Sequence, residues 1–213
     1  MVMNTLKIIA DYPGFSVVEK PSGILSVPGR GPNKRDSIAH RFKNRFPHAI
    51  QQPAVHRLDM ATSGLMILAK TAPDHRHLSI QFQNRRVEKI YEALLEGIPA
   101  RDGGTIELPF RLDPDNRPRQ IYDEKYGKWG ITRWKKISVE NGAARVEMYP
   151  ETGRTHQLRL HAAHTRGLGI PIVGDFLYGS GSNTHSLKLH AKYLRFEDPR
   201  SSRMLSFEVS VPF

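Results

Sequence analysis

Residues 187–211 read LKLHAKYLRFEDPRSSRMLSFEVSV, and apolar and polar side chains take turns along almost all of it. Leu187, Leu189, Ala191 and Tyr193 alternate with Lys188, His190 and Lys192. After the Asp198-Pro199 turn, Leu205, Phe207, Val209 and Val211 alternate with Ser206, Glu208 and Ser210. That spacing sorts side chains onto the two faces of a strand, so two strands joined by a turn are expected. Working back towards the N-terminus, 15–19 reads as a short strand stopped by Lys20-Pro21-Ser22-Gly23, and further strands are expected over 90–95, 131–139 and 145–149.

Helices are expected in three places. Asp36 can cap one over 37–46, with Ile38 and Phe42 on a shared face. A second starts near Thr71 with Pro73 in its first turn, where a missing N–H is tolerated. It turns Leu78 and Phe82 inwards and places Arg85-Arg86 at its C-terminal end, where cations are favoured. A third is expected over 155–166. Strands outnumber helices without a regular βαβ rhythm, so the expected class is α+β with a mixed, largely antiparallel sheet. No linker, repeat or low-complexity tract divides the 213 residues, and a single domain over 1–213 is expected.

Composition narrows the functions. A chain of this size buries roughly 70% of its unfolded surface and needs no disulfide or metal to fold. The absence of cysteine excludes a thiol nucleophile and thiolate zinc sites. The apolar cluster at Leu6–Ala10 is too short for a signal peptide, and no run approaches the ~20 apolar residues of a membrane span. A soluble, cytoplasmic protein is expected. Lysine plus arginine number 32 against 21 acids, a net charge of +11. The pI of about 10.0 lies above the ~9 that marks a nucleic-acid candidate. The basic residues recur through folded-looking segments, from Lys34-Arg35 to Arg154 and Arg166, as on a charged face.

One carboxylate stands out. In HRLDMATSGLMILAK (56–70), Asp59 follows His56 and Arg57 and precedes Thr62-Ser63-Gly64, which reads as a turn feeding the apolar strand 64–69. It suits presentation to an anionic substrate; a turn-capping Asp paired with Arg57 is the plainer alternative. His156, His161 and His164 come without an HExxH pattern or a carboxylate cage, so no metal site is expected. Gly23, Gly29 and Gly31 make no GxGxxG or Walker pattern, so no nucleotide cofactor is expected either.

The same string closely resembles the active-site motif of the RluA family of RNA pseudouridine synthases. FSVVEKPSGILSVPGR (15–30), KIYEALLEG (89–97), TGRTHQLRLHAAH (152–164) with PIVGDFLYG (171–179), and LHAKYLRF (189–196) resemble that family's other stretches in the right order. The resemblance covers nearly the whole chain. It implies the pseudouridine synthase fold, with a curved sheet and flanking helices, and a cofactor-free isomerase that detaches uracil at N1 and rejoins it through C5. It implies that Asp59 is the catalytic carboxylate, that Tyr91 packs against the base and that Arg159 pairs with Asp59. It further implies that Arg57 fills the gap left by the extruded nucleotide and that Leu189 lines the uracil pocket, a place Leu187 also fits. Ile170 stands before Pro171 where many members have histidine, which touches loop packing rather than the chemistry.

The residues by themselves leave Tyr91 open as a core tyrosine and Arg159 as a phosphate contact or solvated helix residue. The chain starts close to its first strand, so no separate N-terminal RNA-binding domain is expected. The short form, SVPGR (26–30) and NRPRQ (116–120) resemble the dual-specificity branch, which implies structured RNA as partner: tRNA and/or 23S ribosomal RNA. A monomer is expected. Two rival functions remain, a catalytically idle RNA-binding protein and a glycoside or nucleoside hydrolase. The hydrolase would usually place two carboxylates about the bond, whereas this motif offers one.

Overall fold

The computed structural model describes residues 6–31, 34–181, 183 and 185–213. The first half of the chain forms β1 (Lys7–Asp11), β2 (Phe15–Lys20), α1 (Ile38–Arg45), β3 (Ser63–Ala69), α2 (Ala72–Gln83) and β4 (Glu88–Leu95). There follow β5 (Gly103–Leu112), β6 (Gln120–Tyr122), β7 (Lys128–Glu140), β8 (Ala143–Pro150) and α3 (Gln157–Ala163). The chain finishes with β9 (Leu189–Glu197) and β10 (Met204–Glu208). Contacts group these elements into two compact units, the described residues up to Glu88 with Ala191–Ser210, and Lys89–His190 with Val211–Phe213.

In the first unit the strands run in the order β1-β2-β3-β9-β10. Antiparallel register pairs Phe15 with Ala69 and Lys20 with Gly64 across β2 and β3, and Met204 with Glu197 across β10 and β9. Every residue of β3 is buried, which explains its unbroken apolar reading over 65–69. Phe15, Val17, Leu65, Ile67, Leu78, Val87, Leu194 and Phe196 form the core, with the Phe15 and Phe196 rings edge to face at 5.6 Å. Gly64 (φ 116°) belongs to β3 rather than to a turn, and only glycine fits there because a Cβ would stand 2.3 Å from the Ala191 carbonyl oxygen on β9.

Helix α1 is capped by Ser37, not Asp36: the Ser37 hydroxyl accepts from the His40 N–H at 3.2 Å. Asp36 instead forks onto Arg41, at 2.8 and 2.6 Å. Helix α2 has Thr71 as its cap, Pro73 in the first turn and Leu78 buried, as expected, but Phe82 is only half-buried and the helix ends at Gln83, so Arg85-Arg86 lie beyond its last turn.

The second unit orders its strands β4-β8-β7-β5-β6, each neighbouring pair antiparallel. Helix α3 is shorter than expected. His156, in left-handed conformation (φ 55°), forms its N-cap, and after Ala163 the chain breaks into turns up to Gly169. Strand β9 begins at Leu189, two residues later than the alternation suggests, and β10 ends at Glu208. The class is the expected one, α+β with strands paired mainly antiparallel. Among the described residues no helix is long and apolar enough to cross a membrane.

Candidate active site

In the first unit, the run 56–62 leads into β3 and is bolted to the loop that leaves β2. The Ser26 hydroxyl donates to the Leu58 carbonyl at 2.6 Å and accepts from the Leu58 N–H at 2.9 Å. The Ser22 hydroxyl donates to the Ala61 carbonyl at 2.7 Å, and the Gly23 N–H to the Met60 carbonyl at 2.8 Å. The Thr62 N–H reaches back to the Asp59 carbonyl at 3.1 Å, closing the turn that carries the carboxylate. Upstream, the Ile67 N–H donates to His56 Nε2 at 3.0 Å while the His56 ring stacks on Phe82 at 4.4 Å. Because Nε2 accepts, the neutral ring carries its proton on Nδ1. Asp59 is half-buried and Arg57 exposed on this braced segment.

Beneath it lies a group the sequence reading missed. Lys20 is 0% exposed, and its ammonium donates to the carbonyls of Met60 at 2.9 Å and Pro21 at 3.0 Å. Burial pulls the Lys20 pKa down to about 7, and the negative charge of Asp59 pulls it back up. Asp59 therefore has a buried cationic neighbour besides any arginine. The available signal was the place of Lys20 on β2, opposite Gly64, where the strand continues one residue past its expected end.

In the second unit the motif 152–164 builds a rigid socket. Gln157 Nε2 donates to the Ile131 carbonyl at 3.0 Å and the Thr132 hydroxyl at 2.9 Å. Its Oε1 accepts from the Thr152 hydroxyl at 2.7 Å and the Arg154 N–H at 3.1 Å, so one side chain ties α3 to β7. Arg159 is 2% exposed, which removes the solvated-helix alternative. Its Nε and Nη2 fork onto Asp175 at 2.8 and 2.6 Å, and its guanidinium carbon lies 5.3 Å from the Phe176 ring and 5.4 Å from Tyr178. Asp175 Oδ1 also accepts the N–H groups of Leu177 and Tyr178, at 2.9 and 3.1 Å. This second buried acid, in the stretch GDFLYG (174–179), was not singled out by the sequence reading.

Tyr91 is half-buried on β4 opposite Met148, and Leu187 and Leu189 are both buried. The three histidines serve packing: His156 Nδ1 lies 3.0 Å from the Tyr178 hydroxyl, His161 meets Phe110 edge to face, and His164 stacks on Tyr122.

A family model described as RNA pseudouridylate synthase matches residues 14–164, a span that holds Lys20, Arg57, Asp59, Tyr91 and Arg159. The chain belongs to the RNA pseudouridylate synthase family. The protein named Dual-specificity RNA pseudouridine synthase RluA in Yersinia pestis is 46% identical over 163 residues, 76% of either chain. Its namesake in Salmonella typhi is 40% identical over 212 residues, 98% of this chain and 94% of that one. The solved structure of Human RNA Pseudouridylate Synthase Domain Containing 1 matches with a TM-score of 0.78 at 27% identity, covering 99% of this chain and 85% of that one. That of Domain Containing 4, at 24% identity and a TM-score of 0.76, covers 97% and 88% and shares the fold. As an RNA pseudouridylate synthase, the chain is an isomerase acting on uridine in RNA.

Proposed function

We propose that Asp59 is the carboxylate that reacts, on a uridine everted from structured RNA: the tRNA anticodon stem-loop and/or a loop of 23S ribosomal RNA. The observation that carries this reading is the fastening of 56–62 to 20–26, with the Lys20 ammonium in electrostatic contact with Asp59. A reacting group held this way meets its substrate without first losing conformational freedom. The reaction itself balances. The C1′–N1 bond breaks, uracil turns, a C1′–C5 bond forms, the C5 proton leaves and N1 gains one. No atom or electron is gained, so neither cofactor nor metal is needed as a co-reactant.

A stacked uridine hides its C1′, and everting it costs a few kcal/mol. In this proposal Arg57, exposed and two residues from Asp59, offsets part of that cost by stacking on neighbouring bases while touching phosphate. Tyr91 packs against the base and Leu189 lines the pocket. Arg159, its plane set by Asp175, is the guanidinium that the family resemblance assigns as partner of the reacting carboxylate. The names of the relatives and the net charge of +11 support an RNA substrate of the dual-specificity kind; in this proposal the chain meets it in the cytoplasm, as a monomer with a single catalytic domain.

The test is a carbodiimide stop assay on tRNA and ribosomal RNA incubated with wild type and Asp59→Ala. Wild type is expected to leave stops at specific uridines and Asp59→Ala none, with unchanged circular dichroism. Equal stops from both proteins would remove Asp59 from the chemistry, and free uracil as the main product would favour a hydrolase.

A further inference from the structure

We propose that Tyr126 and Trp129 form a stacking platform for unpaired RNA bases other than the uridine that reacts; this rests on the RNA reading above. Tyr126, in the connection that crosses from β6 to β7, is 66% exposed, and Trp129, the second residue of β7, is 56% exposed. Single exposed aromatics are ordinary, but two within four residues of one connection and the strand it enters, with cations around them, are not. Among the described residues neither ring stacks on another ring of the protein. The Lys125 ammonium lies 5.0 Å from the centre of the Tyr126 ring, Arg154 Nε donates to the Trp129 carbonyl at 3.1 Å, and Lys128 is exposed between the two aromatics. Glu124 is the exposed acid of the same turn.

The connection is rigid enough to hold such a surface ready. Asp123 Oδ1 accepts from the N–H groups of Lys125 at 3.0 Å and Tyr126 at 2.9 Å, and its other oxygen is held by Arg111. The Gly127 N–H donates to the Asp123 carbonyl at 2.9 Å, and a Cβ at Gly127 would stand 2.5 Å from the Phe110 nitrogen. Trp129 is registered against Pro109 on β5. Exposed rings on a fixed backbone, flanked by cations, suit the faces of unpaired bases and the phosphates between them. A paired stem hides its base faces, so the platform selects loops.

Trp129 also reports on its own occupancy. The chain has two tryptophans, and the other, Trp134, is 7% exposed. Tryptophan emission is recorded while wild type and Trp129→Phe are titrated with an RNA hairpin carrying an unpaired loop and with a fully paired duplex of the same length. Emission from wild type is expected to be quenched by the hairpin and not by the duplex, and Trp129→Phe, left with Trp134, is expected to show no quench. Trp129→Ala should bind the hairpin roughly 10-fold more weakly at an unchanged salt slope, because a stack releases no counterion. A saturated complex with unchanged emission, an equal quench by the duplex, or a Trp129→Ala affinity within about twofold of wild type overturns the platform. Pseudouridine formation on the same hairpin separates the two readings. Product without quenching refutes the platform alone, and quenching without product on any RNA upholds the platform while sinking the isomerase assignment of Asp59.

Discussion

Lys20 carries an unusual burden, a buried ammonium whose pKa is pulled to about 7 by loss of water and held up partly by Asp59. Its ordinary value is 10.5. Between those two values the unfolded chain keeps a proton that the folded chain has shed, so this group makes stability rise with pH across that window and adds no slope well below it. Between pH 7 and 9 the rise amounts to about 2 kcal/mol. Lys20→Met is expected to lose it, and urea unfolding of both proteins at several pH values in that range measures the difference in slope. Parallel curves would mean that the ammonium is better solvated than its enclosure suggests. A functional signature accompanies the stability effect. Loss of the Met60 anchor frees the turn that holds Asp59, so kcat is expected to fall more than KM rises.

At the scale of elements, α3 and the chain after it meet through the buried fork of Arg159 on Asp175. Removing one partner of such a pair leaves an uncompensated charge, so Asp175→Asn is expected to cost about 3–5 kcal/mol in urea unfolding. The double variant Arg159→Met, Asp175→Leu should recover much of that stability but not the activity, a split that a purely structural pair would not produce. Neither Lys20 nor Asp175 was legible beforehand, since each matters through partners distant in the chain: the Met60 carbonyl for Lys20, and Arg159 for Asp175. The turn that carries Asp59 into β3 was legible because its basic, turn-forming and apolar neighbours are adjacent in sequence. The alternation behind β9 and β10 is likewise local, and so it survived folding apart from its ends. Strand β5 was invisible because Gly103, Gly104 and Pro109 read as breakers. In the fold the Pro109 carbonyl accepts from Asp123 at 3.0 Å, so its absent N–H faces that side and not the β7 ladder. A cap was misplaced by one residue at Asp36 because Arg41, a turn further on, takes its carboxylate and leaves the capping to Ser37.

For the whole molecule the decisive quantity is charge. A net +11 distributed over both units gives an attraction for RNA that depends on released counterions rather than on base identity. If about six phosphates are neutralised, the logarithm of affinity falls against the logarithm of salt with a slope of roughly −4 to −5. Filter binding of the anticodon stem-loop across a range of salt measures it directly. Substituting a phosphate-contacting lysine should reduce the slope by about one, whereas Asp59→Ala should leave it unchanged while abolishing product. Asp59→Ala also deletes a negative charge, so its affinity at low salt should equal or exceed that of wild type. A slope near zero would mean that the basic surface is not where the RNA lies, and recognition would then have to come from shape and stacking alone.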